Sequence, residues 1–174
     1  NSASFYGRLR AADRPDRVII LGMNHYGRAT GVTGCDKGFQ TPLGTSQVDT
    51  EFLDILTQEL GDDDAQKFLA SKYDHEREGS IELQLPWVQH VLKDPNTGES
   101  PKVVGVLIHD VLKNHTNGYD NTGLGLAPFV KAIQAAIEKA PGKTLIIAAA
   151  NISHVGPAFG DKDTLAGEAK ETVD

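Results

Sequence analysis

The sequence is poor in cysteine, tryptophan and methionine, with one of each in 174 residues, and it carries no excess of positive charge. Its one cysteine, Cys35, cannot form an internal disulfide, which is compatible with a reducing cytoplasm. The net charge of -7 argues against nucleic acid and anionic membranes as partners, because both favour a basic surface. No apolar run approaches the roughly 20 residues of a membrane helix. We therefore expect a cytoplasmic protein whose partner is a small molecule or another protein.

The apolar residues follow an alternating order of strand and helix patterns. Short apolar runs predict buried strands at Arg17–Leu21, Lys102–His109 and Lys143–Ala150, and we expect Gly22 to end the first. Helical spacing of apolar residues predicts the helices, which are Ser2–Ala12, Gln47–Leu60, Glu76–Leu92 and Leu126–Ala140. This order predicts an α/β fold with a mostly parallel central sheet flanked by helices.

Several local signals refine these boundaries. Asp49 or Ser46 is expected to cap the second helix, and Gly61 to close it. Pro86 predicts a kink in the third helix or a later start. The glycine-rich segment from residue 27 to 44 is expected to be a loop or a short hairpin. We expect one domain over residues 1–174, incomplete at both ends, because the chain opens and closes within helical patterns.

Two predicted strands end in the same way, with an asparagine followed closely by a histidine. Asn24-His25 follows the first strand, and Asn151 precedes His154 after the last strand. If these strands are parallel neighbours, both imidazoles reach one edge of the sheet, where ligands bind in open α/β folds. Two histidines there indicate a metal site or an acid/base site. The alternative is a chance pairing of turn histidines that only hydrogen-bond the backbone.

A third candidate segment, residues 74–82, is rich in charged side chains. Glu78 and Glu82 are one helical turn apart, and His75 precedes Glu78 by three residues. Two histidines and one carboxylate, with coordination positions left open, would resemble a nonhaem iron(II) site. The alternative is a solvated, charged helix start.

Four motifs in the chain resemble those of one known family. Gly22-Met23-Asn24-His25 resembles G-P-[NS]-H, and the TPLG at residues 41–44, followed by Asp49, resembles T-P-L-G…D. The segment at 78–87, EGSIELQLPW, resembles E-H-S-I-E-x-x-L-P-[FWY], and ANISHVG at 150–156 resembles S-D-x-S-H-x-G. The chain thus resembles the Memo family, also called AmmeMemoRadiSam system protein B, from Ser2 to about residue 160.

The resemblance implies a fold like that of the class III extradiol dioxygenases, which use nonhaem iron. It implies that His25 is a metal ligand and that His154 and Asn151 are the catalytic pocket residues, with Asn151 where the family has aspartate. The family's second metal-ligand histidine is replaced by Gly79 here, and the family's later cysteine ligand lies beyond Asp174. His75 or Glu78 would then be the substitute ligands. The expected pocket residues beside them are Asn24, Ser80 and Glu82.

Three functions follow from this reading. The first is a Memo-like, metal-dependent redox protein that holds iron(II), or another divalent metal, at the sheet edge. The second is a degenerate relative without metal, which keeps the pocket for binding a ligand or a protein. The third is a hydrolase that uses the same edge with an ion such as zinc.

Overall fold

The computed structural model describes residues 2–9, 14–109 and 122–150. The strands are β1 Arg17–Asn24, β2 Thr33–Gly34, β3 Phe39–Thr41, β4 Gly44–Ser46, β5 Lys102–His109 and β6 Thr144–Ala149. Four of them form a central sheet with the strand order β2-β5-β1-β6, and β3 pairs with β4 in a separate hairpin. The helices are α1 Ser2–Tyr6, α2 Thr50–Leu60, α3 Asp62–Ala70, a 3₁₀ helix Lys72–Glu76, α4 Gly79–Glu82, α5 Leu85–Val91 and α6 Leu126–Lys139.

Strand β1 is the centre of the sheet, as its unbroken apolar run predicts. It pairs in parallel with β5 on one side and with β6 on the other, while the short β2 pairs antiparallel with β5. Val18, Ile19 and Ile20 have no exposed surface, because helices cover both faces of the strand. The predicted α/β fold with a mostly parallel, helix-flanked sheet is therefore confirmed.

The two faces of the sheet are covered by different helices. On one face, residues such as Ile19 and Val106 pack against Phe52 of α2, Phe68 of α3 and Phe129 of α6. The opposite face packs against α1, α4 and α5, and its core includes Tyr6, Ile20, Ile81, Leu85 and Leu107. Successive residues of a strand point to opposite faces, so β1 contributes to both layers.

The sequence prediction that Gly22 ends the first strand is wrong. β1 continues through Met23 to Asn24, which pair with the last two residues of β5. Gly22 lies inside the strand because α4 packs directly on it: a Cβ there would lie 2.3 Å from Ser80 Oγ. The glycine therefore serves a close approach between a helix and a strand rather than a turn.

Two helix predictions also differ from the structure. The predicted helix Glu76–Leu92 is divided into α4 and α5, and Pro86 is the second residue of α5, where its missing N–H costs nothing. The predicted helix Ser2–Ala12 is wrong in extent, since α1 ends at Tyr6 and the chain is not helical from Gly7 to Leu9. The segment from residue 27 to 44, expected to be a loop or a short hairpin, leads into the β3–β4 hairpin and also contains β2, a strand of the central sheet that was not predicted. The Asp49 cap and the closing Gly61 are confirmed.

A buried ion pair holds the amino-terminal edge of the sheet. Arg17 Nε donates to Asp49 Oδ2 at 2.8 Å, and both residues are almost fully buried. The guanidinium also donates to the Pro141 carbonyl at 2.7 Å, and Asp49 accepts the Phe52 N–H at the start of α2. The charges and donors of this edge are thus paired, as buried charges must be.

No helix within the described ranges combines the length and the apolar character needed to cross a membrane.

Candidate functional site

The carboxyl edge of the sheet carries the first of the predicted site residues. His25 follows β1 directly, and β1 and β6 are parallel neighbours, which is the arrangement that the two-histidine prediction required. His154 and Asn151 lie outside the described residues. Their convergence with His25 therefore stays a prediction.

Glu78 holds His25 in place. Its Oε2 accepts the backbone N–H of His25 at 2.8 Å, and ring Nδ1 of His25 lies 3.1 Å from each carboxylate oxygen. Oε1 also accepts the Ser80 N–H at 3.0 Å, which caps the start of α4. The Glu78 side chain is 3% exposed, whereas that of His25 is 32% exposed. Glu78 thus orients an imidazole that solvent reaches.

The ionisation of Glu78 decides where the imidazole proton sits. Burial raises the pKa of Glu78, but hydrogen bonds from the His25 and Ser80 amides and from the His25 ring outweigh it and lower the pKa. The carboxylate is therefore ionised near neutral pH and only accepts hydrogen bonds, so Nδ1 of His25 is the donor. In the neutral imidazole the acceptor lone pair is then on Nε2.

A second carboxylate, Asp74, fixes the turn after β1. Asn24 is 3% exposed, and its Nδ2 donates to Asp74 Oδ2 at 2.9 Å while its Oδ1 accepts the Gly27 N–H at 2.9 Å. Asp74 Oδ2 also accepts the Ala29 N–H at 2.8 Å. Burial raises the pKa of Asp74, and these hydrogen bonds reverse the effect and lower it. Asn24 therefore shapes the turn that presents His25.

The predicted pocket residues Ser80 and Glu82 lie on different sides of α4. Ser80 is half-buried against β1, and its Oγ donates to the Met23 carbonyl at 3.1 Å. Glu82 is exposed and lines a cavity. Between Glu78 and Ser80, Gly79 leaves open space: a Cβ there would meet only Leu83 Cδ1, at 3.9 Å.

His75 belongs to the same cavity. Its Nε2 lies 3.3 Å from the Thr33 carbonyl, which only accepts, so Nε2 carries the proton. Nδ1 of this ring is buried with no hydrogen-bond partner among the described residues. Burial lowers the pKa of His75 to about 4, so the imidazole is neutral at physiological pH.

The cavity has a volume of about 310 Å³ and lies between the segment around β3 and the segment from residue 72 to 82. Its apolar surface includes the rings of Phe39 and Tyr73, and the buried thiol of Cys35 also lines it. Burial raises the pKa of this thiol, so it is protonated at neutral pH. We call this the β3 cavity; Lys37, Gly38, Gln40, Lys72, Glu76 and Glu82 complete its lining.

The described residues alone do not form a metal site. No group of three His, Cys, Asp or Glu side chains in the described ranges is placed to hold a metal ion. Both oxygens of Glu78 accept hydrogen bonds, and His75 is directed to the Thr33 carbonyl. Gly79 offers no donor atom. Of the family-matched ligands, the described chain provides the His25 imidazole.

The role of Asp74 and the β3 cavity could not be predicted from the sequence. Asp74 lies 50 residues from Asn24 in the chain, and no sequence pattern joins the two. Cys35, for which the sequence excludes only an internal disulfide, is 7% exposed and contributes to the cavity lining. The signal that could have led to the cavity is the glycine-flanked aromatic Phe39, which sequence spacing alone does not connect with residues 72–82.

Comparison with known proteins gives one consistent family. The family model described as "Memo-like protein" matches residues 2–173. A MEMO1 family protein of Methanopyrus kandleri is 32% identical over 161 residues, covering 90% of this chain and 48% of its own length. A MEMO1 family protein of Thermococcus onnurineus is 32% identical over 149 residues, covering 84% of this chain and 45% of its own.

A MEMO1 family protein of Saccharolobus islandicus is 39% identical over 94 residues, which cover 53% of this chain and 31% of that protein. The chain therefore spans less than half the length of these relatives. No solved structure gives a significant match. From the family model and the two longer alignments, the chain belongs to the Memo-like protein family.

Proposed function

We propose that this chain is a metal-free member of the Memo-like family that binds a small ligand in the β3 cavity, beside the carboxyl edge of its sheet. The observation that supports this most concerns Glu78, whose two carboxylate oxygens accept hydrogen bonds from the His25 and Ser80 N–H groups. The next residue, Gly79, has no side-chain atom that could bind a metal. Catalytic metal sites in proteins typically use about three protein ligands, and the described residues contain no group of three His, Cys, Asp or Glu side chains placed to hold a metal ion.

The β3 cavity has the size and composition of a site for a small ligand. Its volume of about 310 Å³ lies at the lower end of the range for small-molecule sites, about 300–1,000 Å³. It combines aromatic surface with a few polar and charged groups, which is the usual make-up of such sites. His75 links it to the site at the sheet edge, because its neighbour Asp74 binds Asn24.

A metal-dependent redox role is the second candidate, and one observation favours it. A carboxylate that accepts the Nδ1–H of His25 is the usual companion of a metal-ligating histidine, whose Nε2 then faces the metal. In this version His154, with Glu78 or His75 as the substitute ligand, would complete the set, and Asn151 would lie in the pocket beside it. Iron(II) held there would supply coordination positions for dioxygen or substrate.

Metal analysis separates the two candidates. The protein is loaded anaerobically with iron(II), freed of excess metal and assayed for metal per chain, and the loading is repeated with zinc(II). The proposal predicts far less than one metal per chain and no difference between the wild type and His25→Ala. Near-stoichiometric iron that is lost in His25→Ala would overturn it in favour of the redox candidate.

Gly79→His supplies a sensitive positive control. It restores the histidine that the family resemblance implies, at a position where a Cβ has room. We expect this variant to bind more iron than the wild type, and the matched variant Gly79→Ala to bind no more. A wild type that binds near-stoichiometric iron, as much as Gly79→His, would contradict the proposal.

A cytoplasmic location is proposed from the composition of the chain. A single buried cysteine and a net charge of -7 support a cytoplasmic protein that does not bind nucleic acid.

A further inference from the structure

The charged residues of the β3 cavity differ in whether they form ion pairs. Lys72 Nζ forms an ion pair with Asp36 at 2.9 Å, so its charge is compensated. Lys37 Nζ lies over the Tyr73 ring, 5.4 Å from its centroid. Glu76 and Glu82 are exposed and form no ion pair with other described residues. Lys37 forms no ion pair with a described residue either, so the lining together with Asp36 carries one more negative than positive charge.

The neutral groups of the cavity do not alter this balance. His75 and Cys35 are uncharged at neutral pH because both are buried. Phe39 and Tyr73 present ring surface, and Phe39 packs against the His75 ring with centroids 6.0 Å apart. Aromatic faces attract cations through their quadrupole, and nearby carboxylates add to that attraction.

Lys37 already makes a contact of this kind within the protein. Its ammonium group lies over the face of the Tyr73 ring, although the lysine side chain is exposed and is long enough to extend into water. An ammonium group brought by a ligand would find the same ring face and, in addition, the two carboxylates. Lys37 is thus a competitor for that position as well as a model of the occupant.

We propose that the β3 cavity binds a small organic ammonium ion, with its charge between Glu76, Glu82 and the Tyr73 ring and its apolar part against Phe39. This rests on the proposed function, because it names the ligand class of the same cavity. The cavity volume of about 310 Å³ limits the ligand to a small amine. Such an ammonium group could belong to a free amine or to a lysine side chain.

The test is a titration of the ¹⁵N-labelled protein at pH 7, followed by amide chemical shifts. The probe is benzylammonium, with benzyl alcohol as the neutral analogue and benzoate as the anionic one. We expect saturable shifts at cavity residues with benzylammonium, binding weaker by about fivefold or more with benzyl alcohol, and no saturation with benzoate. A second cationic probe, Nα-acetyl-lysine amide, distinguishes a lysine side chain from a free amine by which probe binds more tightly.

Two variants must change the affinity in opposite directions. Glu82→Gln removes a carboxylate and should weaken benzylammonium binding by about fivefold, whereas Lys37→Met removes the competing ammonium and should strengthen it. Glu138→Gln, on the exposed surface of α6 and outside the cavity lining, is the matched control and should leave the affinity unchanged.

The proposal is overturned if benzyl alcohol binds as tightly as benzylammonium, if no probe saturates, or if Glu82→Gln and Glu138→Gln behave alike. Its failure is distinguishable from that of the proposed function. If the protein binds neither amines nor iron, only the proposed ligand class is refuted. If the protein binds stoichiometric iron and this binding depends on His25, the metal-free function is refuted, whether or not amines bind.

Discussion

Glu78 binds His25 through both the backbone and the ring: one carboxylate oxygen accepts the His25 N–H at 2.8 Å, and ring Nδ1 lies 3.1 Å from both oxygens. The carboxylate is nearly inaccessible, whereas the imidazole reaches solvent. The ring is therefore held in one tautomer and one orientation before any ligand arrives. Such preorganisation serves a metal ligand and a metal-free hydrogen-bonding group equally well.

Glu78→Gln should disturb this arrangement without removing side-chain volume. An amide offers one accepting oxygen in place of two, and its NH₂ group opposes the donors that now converge on Glu78. We expect a loss of about 1–3 kcal/mol in the free energy of unfolding, measured in urea. We also expect the proton of neutral His25 to move toward Nε2, which the ¹⁵N shifts of the ring report.

Glu76→Gln is the matched control for that change, because Glu76 is exposed and forms no ion pair with other described residues. Its effect on stability should stay within about 0.5 kcal/mol. Equal stabilities of the two variants, with an unchanged His25 ring spectrum, would contradict the anchoring role of Glu78.

His75 should make the protein less stable as the pH falls from about 6.5 to 4. Its folded-state pKa, about 4, lies below the ordinary value of 6.5 for a histidine, so the unfolded chain binds the proton first. The stabilisation by the neutral ring is complete above pH 6.5 and is lost on acidification, with a full span on the order of 3 kcal/mol. Urea unfolding at a series of pH values measures it.

Two variants isolate this contribution. His75→Gln should flatten the stability profile between pH 6.5 and 4.5, whereas His90→Gln, an exposed position on α5, should leave it as in the wild type. Below about pH 4.5 the lowered pKa values of Asp74 and Glu78 give a further loss, because those carboxylates must then be protonated. A profile for His75→Gln that matches the wild type would refute the buried neutral histidine.

The parallel strands could be predicted because burial on both faces leaves an unbroken apolar run in each. The run at Lys102–His109 gives the exact bounds of β5, and the helix predicted from residue 126 differs from α6 by one residue at its end. The end of β1 could not be predicted, because the reason for Gly22 is the approach of Ser80, which is distant in the chain. Local glycine signals do not separate a turn from a close contact.

The site was predictable only where one short segment carries it. The sequence predicts His25 and Asn24 because they come at the end of an apolar run, and the family resemblance implies that Glu78 and Ser80 lie beside the site. The carboxylate of Asp74 and the lining of the β3 cavity depend on segments more than 30 residues apart meeting in the folded chain. Such contacts are set by tertiary packing, which periodicity does not encode.

Gly22 and Gly79 should respond in opposite ways to the same substitution. A Cβ at Gly22 would lie 2.3 Å from Ser80 Oγ and 2.9 Å from Ile81 Cγ1, whereas one at Gly79 would meet only Leu83 Cδ1 at 3.9 Å. We expect Gly22→Ala to cost about 1–3 kcal/mol of unfolding free energy, because α4 must shift away from β1. Gly79→Ala, in a helix, should be neutral or stabilising by up to about 1 kcal/mol.

Combining Gly22→Ala with Ser80→Ala removes the closest contact between α4 and β1. The double variant should therefore lose less unfolding free energy than the sum of the two single changes, as urea unfolding can measure. Additive losses, or equal stability of the two glycine variants, would mean that α4 does not rest on β1 at Gly22.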